Sequence, residues 1–123
     1  ELALVAVWTG GSAGAYLSGM RRYFGEVPVR DHGLSASEGR MTIPFQDALP
    51  HGVLDVGTHF FEFIPEDEYD SPQPTVLQAH ELLPDRNYYI LLTTSSGLYR
   101  YNIPDVVRCC DFHGTTPQLE FLH

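Results

Sequence analysis

Apolar positions follow two regimes along the chain, and the change comes near Arg40. Leu2-Ala3-Leu4-Val5-Ala6-Val7-Trp8 is an unbroken apolar run of strand length. A run without polar alternation predicts a strand covered on both faces, as in a parallel sheet. Thr9-Gly10-Gly11-Ser12 ends it, with Ser12 as the expected helix N-cap. Between residues 13 and 24, Tyr16, Leu17, Met20, Tyr23 and Phe24 recur at helical spacing. Arg21-Arg22 lie near the end of that helix, where cations suit its dipole. Gly25 is the expected stop and Val27-Pro28-Val29 a second short strand. Strand, helix and strand together predict a right-handed parallel unit.

After Arg40 the period shortens. Thr42-Ile43-Pro44-Phe45 is extended, and Val53-Leu54 and residues 59–64 read as strands. Residues 65–74 form an acidic, Pro-rich surface loop. Residues 76–83, 88–94, 97–101, 106–112 and 118–122 continue as short strands, with turns at residues 84–87 and 113–117. This pattern predicts an antiparallel sheet or partly closed barrel. The fold class expected is therefore α+β: a short strand-helix-strand parallel unit followed by an antiparallel, partly closed β-barrel-like sheet.

Composition narrows the picture. A chain of 123 residues with 43% hydrophobic and 12% aromatic content is long and apolar enough for one globular domain. No apolar run approaches a membrane span. Sixteen acidic against seven basic residues give −9, which disfavours nucleic acid and anionic membrane surfaces as partners. A small anionic ligand remains open, because it feels local donors more than net charge. The chain starts at Glu1 with no signal-peptide pattern, and both ends read as strands cut from a longer protein. Their unpaired edges predict self-association of such a fragment. Cys109 and Cys110 are adjacent, so a mutual disulfide would be strained. Reduced thiols and an intracellular, cytoplasmic setting are expected.

Three segments carry candidate chemistry, each beside a plainer reading. Gly10-Gly11 sits where a strand meets a helix, where a ligand can approach the backbone; the same pair also suits a tight turn. Leu34-Ser35-Ala36-Ser37-Glu38-Gly39 follows the second parallel strand, at the end where open parallel sheets collect ligands. Ser37 can hydrogen-bond a phosphate or a base edge, and Glu38 can ligate magnesium; a solvated polar loop is the alternative. Asp105 follows Tyr99-Arg100-Tyr101-Asn102-Ile103-Pro104. Its carboxylate can accept both ribose hydroxyls, with Tyr99 and Tyr101 sharing one strand face, or it can pair with Arg100 or Arg108. The six histidines show no metal-ligand spacing, and His32 lines or flanks the candidate site. The acidic run at residues 66–70 lacks the pattern of a calcium loop.

In order and spacing these pieces resemble the auxin-responsive acyl-acid amido synthetases, the Gretchen Hagen family of the adenylate-forming superfamily. The strongest piece runs from Thr93-Thr94-Ser95-Ser96-Gly97-Leu98-Tyr99-Arg100-Tyr101 through Asp105-Val106-Val107-Arg108 to Thr116-Pro117-Gln118-Leu119-Glu120-Phe121. Ser35-Ala36-Ser37-Glu38-Gly39 looks like the superfamily's aromatic-X-X-Ser/Thr-Glu motif, and Trp8-Thr9-Gly10-Gly11-Ser12-Ala13 like its Gly-Gly-Ala turn. The resemblance implies an ATP-dependent ligase. A carboxylic acid would be activated as an acyl-adenylate and passed to an amine or amino acid. It implies ATP/AMP and Mg2+ as ligands, with Glu38 at the metal. Gly10, Gly11, Ser12, Ala36, Ser37, Tyr99, Tyr101 and Asp105 would surround the nucleotide.

Residues 1–40 would close a nucleotide-binding α/β subdomain and 41–123 would form a β-rich, barrel-like subdomain, both within a larger N-terminal domain. The family's phosphate loop would precede Glu1, and its hinge and small C-terminal domain would follow His123, so the isolated fragment is expected to be inactive. Two positions depart from the family pattern. Leu34 replaces an aromatic residue and lacks a π face for adenine. Pro104 replaces a glycine, fixes φ near −65° and removes an N–H. Both would suit a degenerate, non-catalytic homologue with a binding or scaffold role.

Overall fold

A computed structural model describes residues 2–123. Strands β1 (Val5–Val7) and β2 (Val29–Asp31) pair in parallel, with Val5 opposite Val29 and Val7 opposite Asp31. Between them the chain coils as a 3₁₀ segment, Gly11–Tyr16, and then as α1, Leu17–Phe24. Gly25, at φ 71°, stops α1, and its N–H returns to the Arg21 carbonyl at 2.9 Å. The parallel unit is therefore present, with corrected ends. The second strand starts at Val29, because Pro28 has no N–H and contributes only its carbonyl, to Val5 N–H at 2.9 Å. Ser12 is not the cap: Gly10 holds that position without any side-chain cap bond, and the first turn is 3₁₀.

Leu2, Leu4 and Trp8 are exposed and no residue of α1 is buried, so the described residues do not themselves supply the cover expected on both faces of the apolar run. Two three-residue strands make too narrow a layer to cover a helix or be enclosed themselves. No helix among the described residues is long and apolar enough to cross a membrane.

A hairpin follows. Strands β3 (Ser35–Ala36) and β4 (Gly39–Arg40) are joined by the two-residue turn Ser37-Glu38. The main sheet contains β5 (Thr42–Ile43), β6 (His51–Leu54), β7 (Phe60–Pro65), β8 (Leu77–Gln78), β9 (Arg86–Thr93), β10 (Tyr101–His113) and β11 (Thr116–Phe121). Its order is β5-β6-β11-β10-β9-β7-β8, antiparallel at every pairing. The antiparallel sheet is thus as expected. Its pairing is that of an open sheet with β5 and β8 at the edges, and nothing among the described residues closes it.

Alternation builds the core. In β7, Phe61 and Phe63 point inward while Phe60 is exposed; in β9, Tyr88, Ile90 and Leu92 do the same. Met41, Leu54, Val107, Cys109 and Leu119 complete one cluster against them. Leu34 and Ala36 of the hairpin pack on this cluster, which ties the hairpin to the sheet. Two expected strands change. Residues 76–83 give only β8 and then a 3₁₀ turn, Ala79–Glu81, closed by reciprocal bonds between Gln78 and Glu81. Residues 97–101 are a turn and loop, with Gly97 at φ 109° and Arg100 at φ 47°.

The feature that matters most for function is a bulge in β10. Asn102 lies opposite Leu91 and Val106 opposite Tyr89, so Ile103, Pro104 and Asp105 share the place of Ile90 alone. Pro104 can donate no ladder bond and sits where the ladder is already interrupted.

Candidate functional site

The bulge turns Asp105 into a cavity of ≈ 240 Å³ at the junction of the two sheets. One wall comes from the β1–α1 junction, with Trp8, Gly10 and Ser12. The opposite wall comes from the end of β2 and the start of the hairpin, with Asp31, Leu34 and Ser35. Pro50, Leu119 and Phe121 line the side formed by the main sheet.

Asp105 is not held by the arginines that flank it. Arg100 pairs with Glu62 at 2.9 Å, and Arg108 Nε donates to Asn87 at 3.4 Å. None of the ion pairs among the described residues involves Asp105. Burial pushes its carboxyl above the ordinary Asp range, and repulsion from the Glu38 carboxylate adds to the shift. Glu38 is therefore an electrostatic neighbour of Asp105 although it does not line the cavity. It is half-buried at the hairpin turn, beside exposed Ser37.

Gly10 and Gly11 have a packing reason to be glycine. A β-carbon on either would come within 3.2 Å of Phe121, and Gly11 also sits at φ 54°. Gly10 nevertheless remains on the cavity wall. The structure thus brings Gly10, Ser12 and Asp105 to one cavity, with Glu38 alongside. Gly11, Ala36 and Ser37 lie outside the lining, in the first helical turn and the hairpin. Tyr99 is 80% exposed in the loop and Tyr101 begins β10 at 44%. The left-handed Arg100 between them breaks the alternation, so the two tyrosines do not share a strand face. Arg100 takes that conformation while its N–H donates to Thr93 Oγ1 at 2.9 Å.

Sequence reasoning missed Asp31 and Thr9. Asp31 is buried at the end of β2 and accepts three bonds, from Thr9 N–H, Thr9 Oγ1–H and Gly33 N–H, each at 2.6 Å. The available signal was a lone acid two residues before a glycine at the carboxyl end of a parallel strand. His32 flanks the site as expected: it is exposed, with its ring 5.3 Å from that of Trp8. Cys109 and Cys110 are free thiols. Burial is the main reason both are raised to about 11, with neighbouring acids adding to it.

Comparison with known proteins follows the same outline. The family model described as "GH3 family central domain" matches residues 52–123. The jasmonoyl–L-amino acid synthetase JAR4 of Nicotiana attenuata is 34% identical over 91% of this chain and 20% of its own length. The jasmonoyl–L-amino acid synthetase GH3.5 of Oryza sativa subsp. japonica is 31% identical over 91% of this chain and 22% of its own. The indole-3-acetic acid-amido synthetase GH3.10 of Arabidopsis thaliana is 29% identical over 92% and 22%. The chain thus spans about a fifth of these relatives' length. In fold, a structure described as "AtGH3.15 acyl acid amido synthetase in complex with 2,4-DB" superposes with a TM-score of 0.84 over 96% of this chain and 20% of that one, at 24% identity. The open antiparallel sheet, the hairpin and the cavity between them are therefore the architecture of a chain that belongs to the GH3 family, matching its central domain.

Proposed function

We propose that this chain is the nucleotide-holding middle of a longer ATP-dependent ligase, which activates a carboxylic acid as its acyl-adenylate and conjugates it to an amine or amino acid. The observation that carries this reading is the meeting of Asp105, Gly10 and Ser12 at one cavity, with Glu38 beside it. Family membership supports it, as do relatives named as amido synthetases.

In this reading Asp105 accepts both ribose hydroxyls. A carboxylate without an ion-pair partner is suited to that, because a diol supplies the two donors that the site lacks. Gly10 and Ser12 border the base and the acyl carboxylate. Ser37 faces the phosphates from the hairpin turn, with Gly11 and Ala36 supporting the two walls and Tyr99 and Tyr101 packing around the nucleotide. Glu38 would be the protein's magnesium ligand, alone among its side chains, since no cluster of three metal-ligating side chains occurs among the described residues. Magnesium would offset charge on the phosphates, while this chain's own residues orient ribose and base. Residues 1–40 act as the end of the nucleotide-binding subdomain and 41–123 as the β-rich one. A cytoplasmic setting is part of the proposal, supported by the two free, protonated thiols.

The test is acid-dependent exchange of labelled pyrophosphate into ATP. The longer protein that carries this chain is expected to catalyse it, and the 123-residue piece alone is not. Absence of exchange with any carboxylic acid offered would favour a second reading, a non-catalytic binding domain. That reading draws on Leu34, which puts an aliphatic wall where a base would otherwise stack.

The shifted carboxyl adds a pH dependence. A raised folded-state value means that Asp105 stabilises the fold below the ordinary Asp value, and that this contribution is lost as pH rises through the raised value. Ribose binding has the opposite sign, because the ionised form is the stronger acceptor. Affinity for AMP, measured without metal, is expected to fall as pH drops through the raised value. E38Q removes the repulsion and is expected to move that acid limb to lower pH. An unmoved limb would mean that Glu38 does not act on Asp105.

A further inference from the structure

The two walls of the cavity are tied together by a side chain that the nucleotide chemistry does not use. Asp31 ends β2 and is 7% exposed. Its Oδ2 accepts both Thr9 N–H and Thr9 Oγ1–H, and its Oδ1 accepts Gly33 N–H, all at 2.6 Å. Thr9, itself 7% exposed, immediately precedes Gly10 on one wall, while Gly33 immediately precedes Leu34 on the other. A second strut joins the same segments: Trp8 Nε1–H donates to the Gly33 carbonyl at 3.2 Å. The hairpin wall is fixed from behind. Leu34 N–H donates to Thr42 Oγ1 at 2.8 Å, and a β-carbon on Gly33, at φ +90°, would lie 2.5 Å from the Thr42 carbonyl oxygen.

The two carboxyl oxygens let Asp31 accept from three donors at once, which a single amide oxygen cannot do. Its three bonds also leave Asp31 little capacity to contact a ligand, although it lines the cavity. We propose that Asp31, with Thr9 as its partner, is a positioning residue that sets the gap between the glycine turn and the serine-glutamate hairpin, and thereby the affinity for nucleotide. This rests on the functional reading above. The clamp holds Gly10 and Ser12 at a fixed distance from Leu34 and Ser35, so a base entering between them meets walls that need no rearrangement. In D31N the amide nitrogen must face either Gly33 N–H or the Thr9 donors. One donor is left unpaired and the gap loosens. T9V removes one bond and keeps the shape; T9S keeps the bond.

The experiment uses the longer protein that carries this chain and reads AMP affinity by calorimetry beside the apo melting temperature. T9V is expected to weaken AMP by up to about tenfold, the most that losing one bond of the clamp costs if all of it goes into holding the gap. D31N is expected to weaken it further, and T9S to stay within about threefold of the unaltered protein on the same principle. T9V carries the test if D31N does not fold. Variants that melt earlier yet bind AMP as the unaltered protein does would overturn the proposal, because Asp31 would then serve only the fold. If D105A weakens AMP while D31N and T9V do not, this inference fails and the functional reading stands. An unaltered protein that binds no AMP overturns both.

Discussion

Replacing Asp105 by Ala is expected to weaken AMP and ATP binding by about a hundredfold or more while leaving the fold intact. Two hydrogen bonds from a ribose diol to a carboxylate are lost, each worth about 1.5–3 kcal/mol when the acceptor is charged. The fold loses nothing comparable. Among the described residues Asp105 has no ion-pair partner, and both burial and Glu38 disfavour its charge. Its removal therefore relieves a small electrostatic cost near neutral pH. D105N keeps one acceptor and should fall between the two. Titration of nucleotide into the longer protein, with urea unfolding as the control, checks both parts. Unchanged affinity in D105A would favour the non-catalytic reading.

The largest stability effect is expected at Phe63. It is fully buried in the middle of β7, opposite Ile90, with its ring edge-on to Tyr88 at 6.3 Å. Phe63→Ala leaves a cavity that strands on either side cannot close without breaking register, at a cost of about 3–5 kcal/mol. That is a large part of the roughly 5–15 kcal/mol that holds a domain together. The neighbouring Phe60 is 53% exposed, and Phe60→Ala is expected to cost less than about 1 kcal/mol. Urea midpoints of the two variants test the contrast. Equal destabilisation would mean that the inward and outward faces of β7 are not those described. The same residue bears on the site, because Ile90 opposite Phe63 also faces the β10 bulge that presents Asp105.

How much of this could be read from residues alone depends on the range of the forces involved. Phe61 and Phe63 with exposed Phe60 follow from strand alternation, and Gly25 stops a helix wherever it falls, so these were legible. Strand ends at Pro28 and Leu77–Gln78 were less so, because proline placement and a local capping box override propensity. Leu2, Leu4 and Trp8 are exposed within the described residues. An apolar run reports what a strand is able to bury, not what lies beside it. For the site, Asp105, Gly10 and Ser12 came from local motifs and met in space. Asp31 stayed hidden, because a clamp between residues 22 positions apart leaves no local pattern. Arg100 disrupted the tyrosine pair for a related reason: its left-handed turn accompanies a bond to Thr93 seven residues back and one to Glu62, which is remote in sequence.

Cys109 and Cys110 sit on β10 where its register against β11 slips between Cys109 and Asp111, and their thiols, raised to about 11, are largely protonated at neutral pH. So small a thiolate fraction makes both sluggish nucleophiles while the sheet is intact. Opening the sheet returns them to ordinary reactivity. Alkylation of the buried Cys109 thus works as a clock on sheet opening, recording excursions of β10 away from its neighbours, whereas the half-buried Cys110 can react without one.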